Sequence, residues 1–129
     1  MKLVRYAEAL ELLNQVVRDK GEGFVYDEDE REECVYIENG RPSCIVGHVF
    51  HALGVNSEFR DSMGEVRNVG GAVTVLHREG EIAFTQKAAS LLQRVQVRQD
   101  NGLMWGFAVA QATASRELGG LDDTAPWFD

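Results

Sequence analysis

The sequence predicts one α+β domain: three to four main helices packed with a small antiparallel sheet, and a C-terminal αα-hairpin. Three observations predict it. Apolar residues recur at spacings of three and four over much of the chain, the period of helices with one buried face. Short runs rich in β-branched and aromatic residues, bounded by Gly, Asn or Pro, have the composition of strands. At 129 residues the chain has the size of a single domain with its own core. That domain is expected over residues 1–120, with 121–129 as a flexible acidic and aromatic tail.

The first helix rests on Leu3, Tyr6, Ala7, Leu10, Leu13 and Val17. Glu8 and Glu11 stand early and Arg18 and Lys20 late, as the helix dipole favours. Gly21 and Gly23 end it. Residues 24–26 are a short strand candidate, and 34–37 a second. Asn39-Gly40 is a turn dipeptide, and Pro42 limits the returning strand. Ser43 is expected to cap a second helix ending near Gly54. Residues 56–71 carry only a weak pattern, and 73–76 and 82–84 are strand candidates around a turn. Thr85 caps a third helix with Ala88, Leu91, Leu92 and Val95 inside, closed by Asn101-Gly102. A fourth begins near Met104, with Trp105, Ala108, Val109 and Ala112 on one face, and ends at Gly119-Gly120. The expected core is Leu10, Leu13, Val46, Val49, Phe50, Leu92, Val95, Trp105 and Val109.

The composition, 44% hydrophobic and 26% charged, is ordinary for a globular protein. No apolar run approaches the roughly 18 residues of a membrane span. Arg5, Glu8 and Glu11 interrupt any secretory core, so the expected location is the cytoplasm. The net charge of −8 is uneven. Asp27, Glu28, Asp29, Glu30, Glu32 and Glu33 against Arg31 give −5; Glu117, Asp122, Asp123 and Asp129 against Arg116 give −3. Such a chain lacks the basic stripes that hold nucleic acid. The acidic run is a solvated loop, a docking patch for a basic protein partner, or a mimic of a phosphate backbone.

Two cysteines are too few for a disulfide scaffold. Cys34 and Cys44 flank the Asn39-Gly40 turn: a three-residue loop places them opposite each other, and a two-residue loop offsets them by one. In a reducing compartment both stay thiols.

Cys44, His48 and His51 stand at i, i+4, i+7, on one helical face. Three readings compete. Cys44 in a first helical turn is a weak candidate nucleophile with His48 as its base. The same three residues, with His77 or Cys34, are weak candidate zinc ligands, although no Cys-x-x-Cys or His-Glu-x-x-His motif supports them. The favoured reading is packing, with Cys44 as a small buried hydrophobe, no cofactor, and Gly47 admitting another segment close to the helix. Lys87, Arg94 and Arg98 form a basic stripe best explained as a solvated face. Gln96, Gln99 and Asp100 are placed to bond to the start of the fourth helix. Trp127 and Phe128 are candidate anchors for a partner or a second copy of the chain. No phosphate-cradling glycine motif and no Gly-x-Ser-x-Gly elbow occurs.

Three segments together, residues 40–48 leading to Leu53-Gly54, residues 85–92, and residues 96–102 with Trp105 and Ala108-Val109, form a wider pattern. In this order the chain resembles a group of uncharacterised small proteins of actinobacteria and their bacteriophages. The resemblance implies a bacterial or phage protein working inside an actinobacterial cell, and assigns no residue a role. The expected function is therefore non-enzymatic: a small acidic protein acting by protein–protein interaction, a phage-encoded modulator of a host protein among the options. Partner contacts are expected at Asp27, Glu28, Asp29, Glu30, Glu32, Glu33, Trp127 and Phe128. The alternatives are a metal- or thiol-dependent enzyme at Cys44, His48 and His51, and an acidic nucleic-acid mimic.

Overall fold

Helices dominate the described residues, with short strands between them. The computed structural model describes residues 2–26, 35–38, 41–55, 59–60, 69–80 and 82–127. Within them run β1 (Lys2–Val4), α1 (Tyr6–Lys20), β2 (Val35–Glu38), β3 (Arg41–Pro42), α2 (Ile45–Ala52) and β4 (Phe59–Arg60). Then follow α3 (Val69–Arg78), β5 (Ile82–Thr85), α4 (Gln86–Asp100), α5 (Trp105–Thr113), a 3-10 turn (Arg116–Gly120) and β6 (Pro126–Trp127). The class is α+β, as expected.

The central element is α4. It packs on α1, α2, α3, α5 and β5, which explains why its buried residues, from Ala88 to Gln99, wrap beyond a single stripe. Its start is the expected one, because the Thr85 hydroxyl accepts the Ala88 N–H at 3.1 Å. Trp105, Phe50, Phe84 and Leu13 are fully buried, as are its own Leu91 and Leu92. Each such side chain stabilises the fold by about 1.5–3 kcal/mol.

The strands form two three-stranded sheets rather than one. In the first, ordered β1-β5-β6, β1 runs parallel to β5 and β6 antiparallel. The second, β3-β2-β4, is the antiparallel one. Glu38 faces Arg41 across β2 and β3, bracketing Asn39-Gly40.

Several elements differ from expectation. Residues 2–4 are a strand, and the first helix starts only at Tyr6. Residues 24–26 are not a strand. Residues 73–76 belong to α3, not to a hairpin. Their β-branched composition suggests a strand, but Val69, Ala72, Val73 and Leu76 are buried at helical spacing. Two bonds support that helix across its glycines: Gln93 Oε1 accepts the Val69 N–H at 3.2 Å, and Thr74 Oγ1 donates to the Gly70 carbonyl at 2.9 Å. The last helix ends at Thr113, and the 3-10 turn carries the chain on to Gly120.

The C-terminal segment also departs from the expected loose tail. Asp123 Oδ1 accepts the Tyr6 N–H at 2.8 Å and the Thr85 hydroxyl at 2.7 Å. One carboxylate thus serves the first turns of α1 and α4, where the dipoles favour negative charge. The Lys87 N–H bonds to the Asp122 carbonyl at 2.9 Å, and Phe84 pairs with Trp127. The Asp123 carboxylate thus serves helix ends, while the exposed Asp122 carboxylate accepts the Thr124 N–H and hydroxyl.

Candidate functional site

The geometry at α2 follows from its N-terminus. Cys44, not Ser43, is the N-cap, with extended backbone (φ −80°, ψ 171°) and no capping bond from its own side chain. The cap comes from another helix: Gln99 Oε1, buried on α4, accepts the Ile45 N–H at 2.9 Å. Gln99 therefore serves the start of α2, not of the last helix as its position suggested. Its amide donates to Asp100 Oδ1 at 2.8 Å. Ser43 Oγ instead meets the Tyr26 hydroxyl at 3.0 Å, and the Ser43 N–H bonds to the Tyr36 carbonyl at 2.9 Å. Gly47 is the reason β2 lies so close: a Cβ there would sit 1.9 Å from Tyr36 O.

This arrangement separates the cysteine and histidines. Cys44 is a free thiol, fully buried. His48 turns its ring back on its own chain, with Nδ1–H donating to the Cys44 carbonyl at 2.9 Å. The ring sits edge-on to Trp105, centroids 5.3 Å apart. Burial holds the His48 pKa below its ordinary 6.5, the bond to the Cys44 carbonyl opposes that, and Lys20 and His51 add to the lowering. His51 is exposed at the far end of α2, and His77 lies half-buried on α3. Among the described residues no group of three or more His, Cys, Asp and Glu side chains is placed to hold a metal ion. The weak zinc set of Cys44, His48, His51 and His77 does not converge. Cys44 is sealed in the core while His51 is exposed, so the i, i+4, i+7 spacing does not bring the three side chains to one open site. The nucleophile reading loses access as well, because a thiol sealed in the core meets no substrate. Cys34 lies outside the described residues.

The basic stripe of α4 stays partly exposed and is partnered as well. Lys87 lies over the Tyr6 ring, 4.6 Å from its centroid; Arg94 pairs with Glu117; Arg98 Nε donates to Gln111 at 3.3 Å. Three cations thereby tie α4 to α1, the 3-10 turn and α5.

Of the expected partner residues, Asp27, Glu28, Asp29, Glu30, Glu32, Glu33 and Phe128 lie outside the described residues. Trp127 is half-buried in β6. The structure adds a feature the sequence concealed. The N-terminus of α5 is capped by the chain at 22–24: the Trp105 N–H bonds to the Phe24 carbonyl at 2.8 Å and the Gly106 N–H to the Glu22 carbonyl at 3.0 Å. On these two joined segments stand Val25, Met104 and Phe107, exposed by 44%, 48% and 47%. Trp105, between the latter two, points fully inward, edge-on to Phe24 with centroids 4.5 Å apart. Met104 and Phe107 thus flank a buried Trp105, and Val25 follows the Phe24 that packs on it. The nearest available signal was Met104 and Phe107 flanking an inward Trp105; the joining of this segment to residues 22–24 shows only in the long-range capping bonds.

No helix among the described residues is long and apolar enough to cross a membrane. No family model, curated protein or solved structure matches the chain.

Proposed function

We propose that the chain is a non-enzymatic acidic protein that acts by protein–protein contact, and that Val25, Met104 and Phe107 are the apolar centre of that contact. The observation that carries this reading is their shared exposure on two segments fixed to one another by backbone hydrogen bonds. A patch held in place before binding loses little freedom on contact. The acidic run begins at Asp27, two residues after Val25, and supplies a −5 charge. The fitting partner segment presents apolar side chains edged by Lys or Arg, and its association slows as salt screens the attraction.

The test is capture from an actinobacterial lysate, the source the resemblance suggests, with three baits. They are the unchanged chain, the double variant Met104→Asp/Phe107→Asp, and a chain with residues 27–33 neutralised. A stoichiometric partner lost by both variants and released by salt supports the reading. Equal recovery by all three baits, or no specific partner on the unchanged chain, overturns it.

A further inference from the structure

Away from that patch, α4 forms the floor of a cleft of about 350 Å³. Gln86, Ala89, Ser90, Gln93 and Arg94 line it from α4, and Leu121 and Trp127 from the C-terminal segment. None of these residues belongs to the Val25 patch. The volume falls in the range of small-molecule sites and accommodates about a dozen water-sized atoms.

The polar groups around it are unbalanced. Gln93 Oε1 already accepts the Val69 N–H, and Gln86 Oε1 lies 3.4 Å from the Asp122 N–H. With both amide oxygens engaged, the two side-chain NH2 groups remain as donors. Arg94 gives Nη2 to Glu117, while its Nε is buried with no acceptor. Glu117 is 76% exposed and Arg94 26%, so the carboxylate now on Arg94 is a surface group an incoming one can replace. A carboxylate bridging Nε and Nη2 would engage both nitrogens of that edge, the bidentate geometry Arg favours. Ala89, on the same face of α4 as Gln86 and Gln93, and Leu121 and the Trp127 indole add apolar lining.

We propose that this cleft is a binding site for a small aromatic carboxylate. Its ring lies against Trp127 and Leu121, and its carboxylate meets Arg94 and the amide donors of Gln86 and Gln93. Affinity then depends on the negative charge as well as on the ring.

Indole-3-acetate is the probe, with its neutral counterpart indole-3-acetamide as control, followed by calorimetry and by NMR of the backbone N–H, glutamine side-chain NH2 and indole N–H signals. The expected Kd for the acid is about 0.1 mM, with the amide at least about tenfold weaker. Signals of Gln86, Gln93 and Trp127 shift, while those of Val25 and Phe107 do not. Ser90→Leu fills the cleft from a helical position and is expected to weaken binding by about tenfold or more with the fold retained. Arg94→Gln is expected to bring the acid down to the affinity of the amide. Absence of saturable binding of the acid, equal binding of acid and amide, or full binding by Ser90→Leu would each overturn the proposal. The Met104→Asp/Phe107→Asp variant keeps the site, so this test fails or succeeds independently of the docking reading.

Discussion

Substituting Gly47 by alanine tests the packing that holds α2 against β2. The added Cβ would lie 1.9 Å from Tyr36 O, 2.6 Å from Tyr36 C and 2.9 Å from Tyr36 Cα, all backbone atoms. Ordinary contact begins at 3.4 Å, so helix and strand must separate by about 1.5 Å. Moving them apart also strains the 2.9 Å bond from the Ser43 N–H to the same carbonyl. Overpacking against backbone costs about 3 kcal/mol, and a lost buried hydrogen bond about 1 kcal/mol more. Alanine's better helix propensity returns about 1 kcal/mol. The net loss is about 3 kcal/mol, which lowers Tm by about 12 °C in a chain of this size. Urea unfolding followed by tryptophan fluorescence and circular dichroism measures it. Gly106→Ala, whose Cβ would meet Glu22 Cβ at 2.9 Å, is expected to lose about 1 kcal/mol. Gly120→Ala, with nothing within 4 Å, is the neutral control. If Gly47→Ala matched Gly120→Ala within about 0.5 kcal/mol, the close approach of Tyr36 would not be what selects glycine there.

Three further outcomes follow from other contacts. His48 binds its proton less readily folded than unfolded, so the unfolded chain takes up more protons as pH falls through 6.5. Stability should therefore be unaffected by this group well above pH 6.5 and decline below it until the folded-state pKa is passed; His48→Gln should flatten that slope in pH-dependent urea titrations. Gln99→Leu leaves the Ile45 N–H buried without its acceptor and should cost about 2 kcal/mol, with faster hydrogen exchange at Ile45. Asp123→Ala removes an acceptor from Tyr6 N and Thr85 Oγ1 and should cost about 1–2 kcal/mol, with protease cleavage near residue 122 becoming faster.

Local chemistry was legible wherever neighbours in sequence decide structure. The Thr85 cap, the Gly21 stop and the apolar faces of α4 and α5 depend on residues within one or two turns. Gly47 also showed as a point of close approach, though not what approaches it. Elements decided by distant partners were illegible. Lys2–Val4 is a strand because β5 lies alongside, and α3 forms despite Gly70-Gly71 because Gln93 bonds to its first residue. At the candidate sites the same divide holds. Helical spacing suggested that Cys44, His48 and His51 act together, but Cys44 is fully buried at the N-cap and His51 exposed, and the bond that caps this helix at Ile45 comes from Gln99 on α4. Neither the Val25 patch nor the Arg94 cleft has a local signature, since each joins segments from distant parts of the chain.

The middle position of β5 constrains the order in which the molecule can be assembled during synthesis. Its neighbours are residues 2–4 on one side and 126–127 on the other. A nascent chain must carry its early strand unpaired until residue 85 has left the ribosome, and the opposite edge stays open until Trp127 emerges. Closing loops of that length is slow compared with winding helices. Helical contacts therefore accumulate first, and the three-stranded sheet is completed last, when Trp127 pairs with Phe84.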